Sequence, residues 1–169
     1  MLFFSCKDDV PKIKNSSEIL NLPNVTANGY QITYYDSTYI QFRLTTPKLN
    51  QYDDKKEPYT EFPQGFKVEK FDRNKNIISS IKGNYGKYYQ KEDRYEAIGN
   101  VVSVNDKGDT LKTEKLIWKK KEERIFTDQF VQIIQTDKVI TGIGLESDQE
   151  FKNWKILEPK GTIYIDLEE

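Results

Sequence analysis

The last third of the chain is a run of short segments in which apolar and polar residues alternate. The run starts at Leu111 and includes LKTEKLIW, RIFTDQFVQII and KVITGIGLESD. Polar turns interrupt it at near-regular intervals, and alternation between such turns predicts antiparallel strands with one apolar face. The run contains no group typical of a catalytic site. A sheet with a long apolar face is therefore the structure that any function must use.

Polar turns also divide the middle of the chain into short segments. Polar, turn-like clusters lie at 72–76, 90–94, 105–109, 119–124 and 135–138. Strands joined in simple up-and-down order favour a single antiparallel sheet, strongly twisted and folded over on itself. We therefore predict an all-β fold in which this sheet forms an open trough that resembles a β-jelly roll. The one segment with a possible helical turn is Asp148 to Trp154.

The chain divides into two unequal parts. Residues 1–27 are polar after the first few positions, contain Pro11 and Pro23, and show no sustained period, as expected for a tether. The β-domain is predicted to span 28–169. Strand-like alternation begins with Tyr30 to Tyr34, and the next run, from Thr38 to Thr45, is expected to end at Pro47, because proline cannot donate to a sheet ladder.

Composition excludes several classes of function. The 169 residues include no histidine and one cysteine, so the commonest general base, the commonest metal ligand and any intramolecular disulfide are missing. Lys and Arg number 26 against 27 Asp and Glu, a balance that disfavours nucleic acid as a partner. We predict no catalytic residue, no metal and no cofactor, and therefore no enzyme.

The lone cysteine has a suggestive place. Cys6 follows Leu2-Phe3-Phe4-Ser5, which resembles the end of a bacterial lipoprotein signal peptide, where a small residue precedes the lipidated cysteine. We predict that Cys6 carries a lipid anchor and that residues before it are the remnant of a signal. The alternative is a frayed terminus with an unpaired thiol.

The predicted apolar face supplies a candidate interior. Strand alternation assigns to it residues from most of the strands. The candidate lipid-binding residues are Ile40, Phe42, Leu44, Phe66, Val68, Leu111, Trp118, Val131, Ile133, Val139 and Ile143. Each of them could equally be ordinary core, so the functional prediction concerns the trough as a whole.

Two stretches in the last third resemble a known family. Leu111 to Trp118 resembles the L-x-T-x-x-L-x-[WY] element of the OstA-type repeat. Thr141 to Asp148, followed by Phe151 and Trp154, resembles the carboxy-terminal signature of the LptC family. That family consists of membrane-anchored periplasmic components of the lipopolysaccharide export machinery. The resemblance covers about residues 65–165 and is specific from Leu111 onward.

The resemblance implies a function and partners. It implies an open jelly roll whose interior holds the acyl chains of lipopolysaccharide. It also implies an inner-membrane ABC transporter that delivers the lipid and a soluble periplasmic bridge protein, LptA, that receives it. The protein would be periplasmic and anchored to the inner membrane, here through Cys6 in place of the family's usual membrane helix. The predicted partner-docking edge comprises Gly142, Gly144, Ile163 and Ile165.

Two other readings remain open at this point. The chain could be a soluble bridge domain of the OstA/LptA type, which a free amino terminus would favour. It could also be a β-sandwich glycan-binding module that presents tyrosines as sugar platforms, although tyrosine in strands more often packs against neighbouring strands. The tyrosines of that reading are Tyr34, Tyr35, Tyr39, Tyr85, Tyr88 and Tyr89.

Overall fold

The fold, obtained as a computed structural model, is described for residues 22–36, 39–53 and 55–164. These residues form eleven strands and one short 3-10 turn, η1 (Lys120–Glu122). The strands are β1 (Val25–Asp36), β2 (Tyr39–Tyr52), β3 (Tyr59–Phe62), β4 (Phe66–Phe71), β5 (Ile77–Gly83), β6 (Tyr85–Tyr89), β7 (Arg94–Val104), β8 (Thr110–Lys119), β9 (Arg124–Ile134), β10 (Lys138–Asp148) and β11 (Trp154–Tyr164). The predicted all-β fold is confirmed.

All eleven strands belong to one antiparallel sheet. The strands β3 and β4 pair with successive parts of β2, and β5 and β6 pair with successive parts of β7. Each of these pairs therefore behaves as one strand with a break in it. Counted in that way, the chain follows a simple meander from β1 to β11, with every strand beside the next, as the spacing of the turns predicted.

A line of irregular backbone crosses the sheet where it folds over. Residues 63–65, which include Gly65, separate β3 from β4, and Asn84 separates β5 from β6. The register also shifts at Gly99–Asn100 in β7, between Thr113 and Ile117 in β8, and at Gly144 in β10. Bulges bend a strand and increase its twist. Because they lie on successive strands, they turn a flat meander into a folded trough.

The densest packing lies in the second half of the chain. The core cluster comprises Ala97, Val101, Leu111, Leu116, Val131, Ile133, Leu145, Phe151 and Ile156, all from β7–β11 and the turn after β10. Phe66 and Ile81 are the contributions from earlier strands that pack against it. Burial of apolar side chains, at roughly 25 cal/mol per Å², therefore stabilises mainly this half of the sheet.

Two local predictions are wrong. The strand β2 continues through Pro47 to Tyr52, because Pro47 lies where the break between β3 and β4 leaves part of β2 without a partner on that side. The segment from Asp148 to Trp154 is not helical. Asp148 instead accepts hydrogen bonds from the backbone N–H groups of Lys152 (2.8 Å) and Asn153 (3.0 Å), which closes a turn.

Candidate functional site

One row of cross-strand partners runs across the sheet on a single face, which we call the inner face. Directly opposed residues in neighbouring strands share a face, so the row can be followed through the register. Its members are Ile32, Leu44, Val68, Ile81, Ser103, Leu111, Ile133 and Ile140, one from each of eight strands. Seven of the eight are apolar. The inner face is thus a continuous apolar surface that crosses every bend of the sheet.

Exposure changes along this row. Leu111 and Ile133 have no exposed surface, whereas Ile32, at the other end, is 44% exposed. Beside Ile32 and Leu44, the opposed pair Tyr34 and Phe42 is 59% and 39% exposed. We call β8–β10 the closed end of the inner face and β1, β2 and β4 its open end. The open end has this exposure because β1, in the part of the chain that the structure describes, pairs with β2 alone.

Most of the predicted interior residues lie on the inner face, in two groups. Leu111, Val131 and Ile133 are fully buried in the core of the closed end. Phe42, Leu44 and Val68 line the open end, and Phe66 and Trp118 keep partial exposure between bends. Ile40 is also partly exposed but lies beyond a register shift at Tyr34/Tyr35. The structure thus divides the predicted interior into a packed part and an accessible part.

Val139 and Ile143 lie on the opposite face, which corrects their predicted position. Val139 opposes Ile134, and Ile143 opposes Phe130, which is 57% exposed. Nearby residues of the same strand point inward instead: Ile140 packs against the core and Leu145 is fully buried. Gly144, with φ of 72°, breaks the alternation between Ile143 and Leu145.

A second inner row lies beyond the bend, near the turns of β8–β11. Its register is Tyr88, Tyr95, Trp118, Ile125, Ser147 and Trp154. Tyr88 stacks on Tyr95 with ring centroids 4.4 Å apart, and Tyr95 stacks on Trp118 at 4.8 Å. Burial, together with the nearby groups of Tyr88 and Asp93, raises the pKa of Tyr95 well above its usual range, so its hydroxyl stays neutral.

Sequence reasoning missed part of the open end. Ile32 was not assigned to the interior, and Tyr34 was considered only as a sugar platform. The alternation of Tyr30, Ile32 and Tyr34 is the signal that could have placed them. It was uninformative without the register, because only the pairing of Ile32 with Leu44 shows which face β1 shares with β2.

The structure describes three of the four residues of the predicted docking edge. The outer strands of the sheet are β1 and β11, each paired on one side among the described residues. Gly142 and Gly144 lie in β10, one strand in from the β11 edge, since β10 pairs with both β9 and β11. Ile163 lies in β11, and its backbone pairs with that of Val139 in β10, whereas Ile165 and Cys6 lie outside the described residues.

The outer face of β2, β3, β6 and β7 carries a polar and aromatic cluster. The Glu61 carboxylate accepts hydrogen bonds from Asn50 (3.0 Å), Tyr52 (3.2 Å) and Tyr85 (2.9 Å). Burial, and then the hydrogen bond to Glu61, raise the pKa of Tyr85. Lys87 lies 3.7 Å from the ring centroid of Tyr59. These contacts bind the strands to one another.

The tyrosines of the glycan-binding alternative do not form one platform. Tyr85 and Tyr88 are engaged by Glu61 and Tyr95, and Arg94 lies 3.8 Å above the ring of Tyr89. Tyr34 and Tyr35 are exposed, but they lie in a different part of the sheet, on β1. Within the residues that the structure describes, these tyrosines therefore form no single platform for a sugar.

Within the described residues, no group of three or more acidic or cysteine side chains is arranged to hold a metal ion. A search of the same residues found no helix with the length and hydropathy needed to cross a membrane. The structural features that remain as candidates for function are the inner apolar face and the two outer strands.

A model of a known protein family matches this chain. The family model described as "Lipopolysaccharide-assembly, LptC-related" matches residues 1–164. A search of curated proteins found no match.

Proposed function

Because the chain belongs to the LptC-related family of lipopolysaccharide-assembly proteins, we propose that it is a carrier whose inner face holds lipopolysaccharide acyl chains. A role in lipopolysaccharide transport follows from the family itself. The carrier assignment is supported by one observation above the others: an apolar row that is continuous across the sheet and changes from buried at Ile133 to open at Ile32. A bound acyl chain would cover the apolar side chains that are exposed at the open end.

The chemistry of such a face suits transport. Removal of each methylene from water contributes roughly 0.8 kcal/mol, so several methylenes give useful affinity without any specific contact. A ligand that moves along a continuous apolar row exchanges one similar contact for the next, and its release therefore has no large barrier. Transport, and not catalysis, is the activity that this family and this surface support together.

The finer steps are part of the same proposal. The inner-membrane ABC transporter delivers lipopolysaccharide to the trough, and the bridge protein LptA receives it. The domain lies in the periplasm and is anchored to the inner membrane through Cys6. Among the described residues, the long outer strands β1 and β11, with 12 and 11 residues, each pair with a neighbouring strand on one side, and a partner can add a strand on the other side.

Site-specific photo-crosslinking tests the carrier proposal with matched neighbours. Crosslinking residues are placed at Ile32, Phe42 and Trp118 on the inner face, and at Thr33, Arg43 and Ile117, their chain neighbours on the outer face. Adducts with lipopolysaccharide are expected at the inner positions alone. Equal labelling of both sets would refute an inner binding face.

Truncation tests the docking of the bridge protein. Deletion of residues 161–169, or Ile163→Pro, should weaken LptA binding and leave transporter binding largely unchanged, because proline removes a ladder donor. Circular dichroism checks that the truncated domain is folded. A folded truncation that binds LptA normally would assign docking to another edge.

Fractionation tests the anchor. The chain is expressed with a functional lipoprotein signal, with and without Cys6→Ser, in cells that lack its partners. Membrane association should require Cys6, because stable anchoring depends on the attached acyl chains. Unchanged association of the variant would mean that another element holds the protein at the membrane.

A further inference from the structure

The turn between β10 and β11, residues 149–153, starts at one margin of the sheet, and we call it the strap. β10 carries Ile140 in the first inner row and Ser147 in the second, so the strap leaves the margin beside the second row. The turn at 105–109 precedes Leu111 and lies at the other margin, beside the first row. At roughly 3.3 Å per residue, these margins would be more than about 20 Å apart in a flat sheet.

In the folded sheet the two margins meet, and the strap joins them. Asn105 Nδ2, at the margin beside the first row, donates a hydrogen bond to the Phe151 carbonyl oxygen at 3.1 Å. Lys152 Nζ lies 3.6 Å from Oδ2 of Asp106, which belongs to the same turn as Asn105. The gap between the margins is the mouth of the trough. The strap therefore lies across this mouth at the closed end.

A third contact of the strap reaches the open end of the inner face. Glu150 Oε1 lies 3.9 Å from Nζ of Lys70 in β4. Lys70 directly opposes Phe42 and so shares the inner face with it. The side chains in this ion pair, and in the pair of Lys152 with Asp106, are 39–46% exposed. Ion pairs with this exposure hold weakly, because water screens the charges and replaces the partners.

The Phe151 side chain fills the space behind the strap. It is 3% exposed and belongs to one apolar cluster with Leu111 of the first row and Trp154 of the second. Its φ of 54° lies in the left-handed region, which a bulky aromatic residue adopts only where the surrounding contacts impose it. Residues 149–153 belong to no strand, so the strap can move outward without breaking a ladder hydrogen bond.

The Phe151 ring lies on the path of a transported acyl chain. A chain that moves along the inner face between the two outer strands, β1 and β11, must pass between the two inner rows. We propose that the strap is a movable closure: the Phe151 ring occupies the closed end when no lipid is bound, and an acyl chain that advances from the open end displaces it. This inference rests on the proposed function and adds the element that admits a chain to the closed end.

A distance measurement across the mouth tests the movement. Spin labels are placed at Lys107→Cys and Gln149→Cys, two exposed positions, in the full-length protein with Cys6→Ser. Double electron–electron resonance should show a lengthening of about 5 Å after purified lipopolysaccharide is added, which is one strand spacing and leaves room for one chain. Labels at Lys107→Cys and Thr136→Cys, in two turns of the same margin, are the control and should keep their distance.

A pair of double variants tests the ion pairs that hold the strap. Glu150→Gln with Lys152→Gln removes both ion pairs across the mouth, and lipopolysaccharide should bind about threefold more tightly because the closed strap competes with it. Arg124→Gln with Glu146→Gln removes a comparably exposed ion pair on the outer face and should leave this affinity unchanged. Each double variant keeps the net charge of the protein, so a general attraction of the anionic lipid cannot explain a difference.

Photo-crosslinking from Phe42 in the same samples separates the two proposals. Label distances that stay unchanged while lipopolysaccharide is crosslinked at Phe42 would overturn the movable strap alone. Equal affinities of the two double variants, with the same crosslinks, would also overturn it. Absence of the crosslinks would overturn the carrier proposal, and the strap with it.

Discussion

The two ends of the inner face differ in packing although one apolar row joins them. At the closed end, Leu111 and Ile133 are buried beneath neighbouring strands and the turn that holds Phe151. At the open end, Ile32, Tyr34 and Phe42 keep between 39% and 59% of their surface exposed. The residue types are alike, so the difference comes from how many strands surround each position.

This contrast separates stability from binding. A protein that filled its whole trough with its own side chains would have no place for an acyl chain. Here the closed end provides the core that the fold needs, and the open end leaves apolar surface uncovered. Residues at the closed end should therefore affect stability first, whereas residues at the open end should affect lipid contact first.

The largest expected effect compares isoleucine truncations at the two ends. Ile133→Ala should lower the free energy of unfolding by about 2–5 kcal/mol, because it leaves a cavity in the core. Ile32→Ala should lower it by less than about 1 kcal/mol, because its side chain is 44% exposed. Urea denaturation followed by fluorescence measures both. Similar losses would show that the open end is packed.

Two glycines in the paired strands β10 and β11 provide the next test. A Cβ on Gly142 would overlap Ile156 Cγ2 and lie 2.5 Å from the Glu158 carbonyl oxygen, so Gly142→Ala must displace the backbone of β11. The expected loss is about 1–3 kcal/mol. Gly161→Ala, in the same strand pair, meets no atom within 4 Å and should change stability little. Thermal unfolding of both variants checks this, and a neutral Gly142→Ala would contradict the packing of β10 on β11.

Two aspartates in similar turns extend the comparison to the pH dependence of stability. Hydrogen bonds from Asn76 lower the pKa of Asp72 in the β4–β5 turn. At Asp148 burial raises the pKa, but hydrogen bonds from Lys152 and Asn153 outweigh it, so the pKa is lowered. A lowered pKa stabilises the fold above the unfolded value of about 3.9, and this contribution is lost as the pH falls below it.

Only the turn at Asp148 positions a core residue, because the Asp148 carbonyl accepts from Phe151 N–H (3.1 Å) and Phe151 is 3% exposed. At pH 7, Asp148→Ala should therefore lower the free energy of unfolding by about 1 kcal/mol. Asp72→Ala should lower it by less. The two penalties should converge as the pH approaches 3. Unfolding at several pH values measures them, and a penalty at Asp148 that does not depend on pH would exclude the carboxylate as its cause.

The smallest expected effect tests which face of β10 the Ile143 side chain occupies. Ile143→Ser should change stability by about 0.5 kcal/mol or less, since the residue is 38% exposed on the outer face. Its near neighbour Leu145 is fully buried and provides the contrast, because Leu145→Ala should cost several times more. A large loss of stability in Ile143→Ser would instead indicate that the Ile143 side chain lies in the interior.

Much of the fold could be predicted from the sequence, and the reason is local. The side chains of a strand alternate with a period of two, and polar clusters such as 105–109 mark the turns, so the all-β class and the up-and-down order could be predicted without any long-range information. The inner positions of Leu111 and Ile133 followed in the same way. Trp118 lies seven residues after Leu111, so strict alternation would place it on the opposite face, and the register shift between Thr113 and Ile117 brings it to the inner face.

Alternation alone failed where apolar residues are adjacent or the strand is irregular. Val139 and Ile140 are neighbours, and either could point inward until the pairing of Ile140 with Ile133 decides. Gly144 then reverses the alternation ahead of Leu145. A shift of one residue exchanges the two faces of a strand, so an error of this size moves a side chain from the interior to solvent.

The sequence by itself determined that this chain forms an antiparallel meander with one apolar face, because alternation and turns are properties of neighbouring residues. Only the tertiary structure decided which part of that face is open. Exposure at Ile32 and burial at Ile133 depend on the number of strands packed around each, which is a property of the folded sheet. The separation of a stabilising core from an accessible lipid surface therefore arises from the bends and edges of the sheet.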